Sequence, residues 1–212
     1  MISIDPGSQS PKENYKLLIG GIIPRPIAFV TTLSEDGVLN AAPFSFFNIV
    51  SADPPMIAVS VQRKSGGVRK DTARNAIAKG QFVVHVADEG YVEALNATAA
   101  PVLPDVSEVE LAGLTPVPSE VIAIPGVAEA AIRLECVLEQ AIELGGTLNT
   151  PGLEGEGAPS TDLLIGRIVR FHIDEKVYRG GKIDPDALKP VSRLAGNDYA
   201  KLGERFTLVR PT

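Results

Sequence analysis

The sequence predicts a mainly β protein, an antiparallel barrel of Greek-key-like connectivity with one or two peripheral helices. Two patterns carry this. Short runs rich in Ile, Val, Phe and Thr recur between turn residues. The longest periodic stretch also alternates with period two. Ala130, Ile132, Leu134, Cys136, Leu138, Ile142 and Leu144 share one parity; Glu129, Arg133, Glu135, Glu139 and Glu143 take the other. No repeat or linker divides the 212 residues, so a single domain over 1–212 is expected. Its core should span about 20–205.

Pro24-Arg25-Pro26 excludes helix, because each proline pushes its predecessor toward extended geometry. Residues 27–33 read as a strand, 34–37 as a turn ending in Asp36-Gly37, and 38–42 as the returning strand of a hairpin. Residues 44–50 form another extended run, Asp53-Pro54-Pro55 stops it, and 56–62 is the next strand. Asp71 and Thr72 are N-cap-type residues ahead of helix formers at 73–79, and Gly80 sits where a helix stops. Residues 81–87 read as a buried strand and 90–99 as a second helix. The proline-rich stretch 101–126 reads as an irregular excursion. The alternating strand follows, its pattern interrupted at Gln140, with a bend somewhere along it as an open option. Residues 145–159 form a Gly-rich acidic loop with the reach of a lid, 163–173 a strand, and 204–209 the last strand.

Lys plus Arg total 20 against 26 Asp plus Glu, a net charge of −6. That total suits nucleic acid poorly, because phosphate neutralisation needs a basic face. With no Trp and few aromatics, a base-stacking platform is not expected either. The lone Cys136 excludes an intrachain disulfide and fits a reducing compartment. Two histidines and one cysteine give no credible zinc set, so no metal is expected. Residues 1–16 lack a basic region followed by an apolar run, and no apolar stretch approaches the roughly 20 residues of a membrane span. A soluble, cytoplasmic protein without a membrane partner is the expectation.

The local charge departs from the total. Arg63, Lys64, Arg69 and Lys70 surround Ser65-Gly66-Gly67 without an intervening acid, and lead into the helix beginning near Asp71 and Thr72. Unpaired N–H groups at a helix start, added to cations, suit a phosphate; a solvated basic loop is the plain alternative. A second candidate is the segment Asn40, Ala41, Ala42, Pro43, Phe44, Ser45, Phe46, Phe47 and Asn48. Its small residues let a flat ligand approach the backbone, Ser45 and Asn48 add polar groups, and the phenylalanines add apolar walls. Core packing of the same phenylalanines is the competing explanation. His85, inside Val83-Val84-His85-Val86, reads as a core residue, and Cys136 as inert packing. Glu154, Glu156 and Asp162 read as solvated loop acids. Neither a dinucleotide glycine fingerprint nor a P-loop is present.

Taken together, Arg25 through Thr32, Gly37, Asn40 through Asn48, Asp53-Pro54-Pro55 and Ser60 resemble the flavin reductase-like family, whose fold is an FMN-binding split β-barrel. Lys70-Asp71-Thr72 with Asn75 matches that family's next block, and Val191-Ser192-Arg193-Leu194, Gly196 and Tyr199 its C-terminal one. The resemblance implies FMN bound near the interface of a homodimer. Thr31, Thr32 and residues 40–48 would border the isoalloxazine and ribityl chain; Ser60, Arg63, Lys70, Asp71 and Thr72 would surround the phosphate. It further implies an NAD(P)H-dependent flavin reductase, with NAD(P)H as co-substrate. The acceptor is a small molecule or a redox partner protein. A flavoredoxin-like electron carrier and a non-catalytic flavin-binding module are the alternatives. His172, Arg193 and Tyr199 are the candidates for direct roles on the substrate side.

Overall fold

The computed structural model describes residues 1–146 and 157–211. Most of the loop expected at 145–159, including Glu154 and Glu156, lies outside the described residues.

Helix α1 (Pro11–Gly21) opens the fold and adds to the expected elements. Its signature is Ser10-Pro11-Lys12-Glu13: the Ser10 hydroxyl accepts from the Glu13 N–H, and the Glu13 carboxylate accepts from the Ser10 N–H. Then come β1 (Arg25–Pro26), β2 (Ala28–Leu33), β3 (Leu39–Phe44), β4 (Phe47–Ala52) and β5 (Pro55–Gln62). Helix α2 (Asp71–Lys79) leads to β6 (Gln81–Val86) and the short α3 (Val92–Ala97). The proline-rich excursion contains α4 (Glu108–Leu111), β7 (Pro116–Val117) and β8 (Gly126–Val127). The long pair β9 (Ile132–Leu144) and β10 (Thr161–Ile173) follows. The chain ends through β11 (Tyr178–Arg179), β12 (Lys182–Ile183), α5 (Pro185–Leu188), β13 (Val191–Arg193) and β14 (Tyr199–Lys201).

Seven strands form one antiparallel sheet in the order β3-β2-β6-β9-β10-β5-β4. The connection from β5 to β6 carries α2 past the positions of β9 and β10, which gives the Greek-key character. The sheet edges are β3 and β4, consecutive in sequence. Ser45 and Phe46 turn between them, and the Phe46 carbonyl accepts from the Ser60 N–H at 2.8 Å. The small sheet β1-β13-β14 stands beside this turn, with Arg25 opposite Arg193 and Arg193 opposite Tyr199.

Both faces of β2 are covered, so its burial is nearly continuous. Ala28 and Val30 join Phe44, Val59, Phe82, Val84 and Leu164 in the main core. Ile27 and Phe29 pack the other way, against Ala41, Tyr91, Leu95 and Val109. This second cluster seats α3 and α4 against β3. Two bulges bend the β9–β10 pair. Ile165 faces Gln140 while Gly166 faces Leu138, and Ile168 faces Cys136 while Arg170 faces Glu135. Glu139 and Val169 are therefore the extra residues, and the first bulge lies beside Gln140, where the alternation breaks.

Three expectations need correction. Residues 204–209 form no strand: no strand among the described residues hydrogen-bonds to their backbone, and Phe206, Leu208 and Val209 are exposed. Glu135 takes the charged parity of its strand yet is buried. Its carboxylate accepts from the N–H groups of Glu120, Val121 and Ile122 at 2.7, 2.8 and 3.1 Å, so the excursion folds over it. Asp162 is no solvated acid: it is buried on β10, where Arg63 donates to it at 2.9 and 2.6 Å and Arg69 at 3.1 Å. Among the described residues, no helix is long and apolar enough to cross a membrane.

Candidate functional site

Where β3 ends, the chain must pass from one sheet edge to the other, and the backbone around Pro43 and Phe44 is left facing open space. A groove of about 420 Å³ runs there. β3 supplies Asn40, Ala42, Pro43 and Phe44 to one side; Lys64 and the start of α2 with Lys70, Asp71 and Thr72 supply another. The segment from Thr98 to Val102 and Glu108 of α4 complete it. Two smaller clefts continue around Pro43 and Phe44. One reaches Ser45, Phe46, Ser60, Gln62 and Tyr15. The other reaches Ile27, Arg193 and Tyr199.

The groove is electrically two-sided. Lys70 occupies the N-cap position of α2, and no side chain caps that helix. Asp71 and Thr72 are thus the first helical residues rather than caps, because both side chains are engaged elsewhere. The Asp71 carboxylate pairs with Arg74 at 2.7 Å and Lys64 at 3.6 Å. The Thr72 hydroxyl donates to Asn40 Oδ1 at 3.0 Å. Lys70 is half-buried and has no carboxylate partner among the described residues. Burial, and then the neighbouring Lys64, hold its ammonium below the usual lysine pKa. Glu108 lines the same groove, and burial first and then Asp71 push its carboxylate above the ordinary range.

Behind this wall lies a buried polar network. Glu108 accepts from Asn40 Nδ2 at 2.9 and 3.0 Å and from the Ala41 N–H at 3.1 Å. Asn40 Oδ1 also accepts from the Thr32 hydroxyl at 3.1 Å, and Asn75 donates to Thr32 at 3.3 Å. Arg25 ties the rim together. Its buried guanidinium donates to the carbonyls of Ile19 and Ile22 at 2.8 and 2.6 Å, to that of Leu194 at 2.8 Å, and to Ser45 Oγ at 3.4 Å.

The structure therefore gathers Asn40, Ala42, Pro43, Phe44, Ser45, Phe46, Ser60, Lys70, Asp71, Thr72, Arg193 and Tyr199 around one connected groove. Arg193 stacks over the Tyr199 ring at 4.5 Å, and the Tyr199 hydroxyl donates to Asn96 at 2.8 Å. Other expected residues fall elsewhere. Thr31 and Thr32 are fully buried; Thr31 donates to the Pro125 carbonyl, and Thr32 sits one hydrogen bond behind Asn40. Ala41 faces the second core cluster. Phe47 packs against the main core, and Asn48 accepts from the Ile49 N–H. The Arg63 guanidinium is occupied by Asp162 and Glu143, so Lys64 takes its expected place beside Lys70. His172 lies outside the groove. It contacts Glu135 at 2.5 Å and lines a separate cavity with Arg133, Phe171 and Asp174. Tyr15, Thr98 and Glu108 join the site without having been singled out in the sequence, whereas Lys64 comes from the basic run noted there.

The two remaining sequence candidates are internal. His85 is fully buried, with Nδ1 at 2.9 Å from the Phe29 carbonyl and Nε2 accepting from the Val127 N–H at 3.0 Å. That pairing requires the neutral ring, and burial lowers its pKa to about 4. Cys136 is buried, and burial first and then Glu135 push its thiol up. It stays protonated.

A barrel whose open edge combines an apolar wall with a half-buried lysine at a helix start, without a carboxylate partner among the described residues, has the makings of an anion site beside a flat apolar surface. The likenesses narrow it. The model of the flavin reductase like domain matches residues 20–185. The crystal structure of nitrilotriacetate monooxygenase component B from Bacillus cereus is 62% identical, with a TM-score of 0.93 over 98% of both chains. Pseudomonas fluorescens 2-nitrobenzoate 2-nitroreductase NbaA is 30% identical, with a TM-score of 0.86 over 100% of this chain and 97% of its own. The YwrF protein of Bacillus subtilis is 55% identical over 96% of each chain. The chain belongs to the flavin reductase-like family, and its sheet is that family's split barrel.

The residues present fit a flavin mononucleotide. Lys70 supplies a cation without a carboxylate partner among the described residues, and α2 supplies N–H groups that no side chain of these residues caps, for a phosphate, while Pro43 and Phe44 offer an apolar surface for a ring.

Proposed function

We propose that the protein holds FMN in this groove, accepts hydride from NAD(P)H, and delivers the electrons to an acceptor. The observation that carries the reading is that Lys70 and the start of α2 line the same groove as Pro43 and Phe44. A bound flavin would supply reversible hydride and electron transfer. The chain's own part is to bind and orient. Lys64 and Lys70 neutralise a phosphate, and Thr72 and Asn40 fix the polar wall. Pro43 and Phe44 exclude water from one side, and Arg193 with Tyr199 forms the rim where a nicotinamide donor would dock. Among the described residues lining the groove none is paired as a nucleophile with its base, and the role read for the protein is positioning and electrostatics.

The likeness to nitrilotriacetate monooxygenase component B supports a reductase component that serves a separate oxygenase. A homodimer belongs to the same reading, supported by exposed Ile49 and Val50 on the edge strand β4. So does a cytoplasmic location, supported by the free thiol of Cys136.

Anaerobic titration tests the proposal. Protein loaded with FMN should lose its visible flavin absorbance on addition of NADH or NADPH, in stoichiometric proportion. FMN that stays oxidised with both donors would contradict the nicotinamide step.

A further inference from the structure

We infer that Glu108 is a positioning residue of the groove: its carboxylate holds the Asn40 side-chain amide in one orientation and so fixes the polar face that Asn40 and Thr72 present to a flavin. The inference rests on the flavin reading above.

An asparagine amide has two unlike ends, and the neighbours decide which way it points. Here both Glu108 oxygens accept from Asn40 Nδ2, at 2.9 and 3.0 Å. A carboxylate offers only acceptors, so the amide NH₂ must face it. Oδ1 is then turned toward the Thr32 and Thr72 hydroxyls, which donate to it at 3.1 and 3.0 Å. The Thr72 proton is committed inward as a consequence, leaving the oxygen lone pairs of Thr72 toward the groove beside Lys70. The same carboxylate takes the Ala41 N–H at 3.1 Å, pinning the β3 backbone one residue before Ala42 and Pro43 line the groove. Asn40, Thr72 and Glu108 all line it, and all are buried. Glu108 comes from a four-residue helix in the proline-rich excursion, so a remote segment sets the polarity of the β3–α2 wall.

Glu108→Gln changes this with almost no change in shape. One end of the new side chain becomes a donor. Asn40 must then either oppose NH₂ to NH₂ or rotate end for end, which reverses the hydrogen-bond sense at Thr32 and Thr72. FMN affinity, measured by quenching of free-flavin fluorescence, should fall about tenfold in E108Q. If Glu108 acts through Asn40, the same change in an N40A background should cost less than about twofold. An equal loss in both backgrounds, or a lowered melting temperature with unchanged FMN affinity, overturns the inference. A flavin-free measurement separates it from the reading beneath. The Asn40 side-chain amide, identified by its loss in N40A, should give a dispersed ¹H–¹⁵N pair that shifts in E108Q. If it does not shift, Glu108 does not orient Asn40. If E108Q shifts the pair yet the wild-type chain takes up no FMN, the flavin reading is refuted instead.

Discussion

Replacing Lys70 with Met removes one charge and keeps most of the aliphatic stem, so the loss reads directly on the phosphate contact. Lys70 has no carboxylate partner among the described residues, whereas its neighbour Lys64 is held by Asp71 at 3.6 Å. Lys64 therefore substitutes poorly. A charge-assisted hydrogen bond from a half-buried ammonium is worth about 1.5–3 kcal/mol, or roughly 10- to 150-fold in Kd. The assay is fluorescence titration with FMN and, in parallel, with riboflavin, which shares the ring and the ribityl chain but lacks the phosphate. K70M should weaken FMN by that factor and leave riboflavin within about twofold. The pH dependence has a definite sign. Burial and Lys64 hold the free-state pKa of Lys70 down, and a bound phosphate raises it. Binding takes up a proton in that range, so affinity falls as pH rises through the free-state pKa. Equal losses for FMN and riboflavin, or none for either, would refute the phosphate assignment.

Other predictions follow from the same geometry. His85 is held neutral with a pKa of about 4, so the unfolded chain binds more protons between there and about 6.5. Stability should fall as pH drops through that window, by about 3 kcal/mol at its lower end, and His85→Gln should flatten the profile in denaturant titrations. At Gly166 an added Cβ would press into the buried Phe82 ring and come within 3.2 Å of Cys136 Cβ. Gly166→Ala should destabilise by about 1–3 kcal/mol, read as a lowered urea midpoint. Arg193 stands at the rim against Tyr199. Arg193→Ala should raise the KM for the nicotinamide donor about tenfold while FMN affinity moves by less than about twofold.

Some of the site was legible in the sequence because its chemistry is local. Lys70 stood out because cations gather at 63–70 beside a helix start, and residues 40–48 because small, polar and aromatic side chains mix over a strand end and the turn after it. Which cation faces the groove was not local. Arg63 and Lys70 look equivalent until β10 brings Asp162 under Arg63, 99 residues away in sequence. His172 shows the same limit. Its place on a strand was readable, but not that this end of β10 borders a separate cavity with Arg133 and Asp174. Glu108 lies on a helix too short for periodicity to reveal, between prolines. The period-two pattern correctly marked β9 as a strand, yet it assigned Glu135 to solvent, because the backbone that covers it comes from residues 120–122.

The central claim is that the groove between β3 and the start of α2 seats a flavin nucleotide. A crystal structure of the protein with FMN tests it most directly. The phosphate should lie within hydrogen-bond distance of Lys70 Nζ and the N-terminal amides of α2, with the ring against Pro43 and Phe44. Flavin density in the cavity beside His172 and Arg133, or the phosphate away from Lys70, would contradict it.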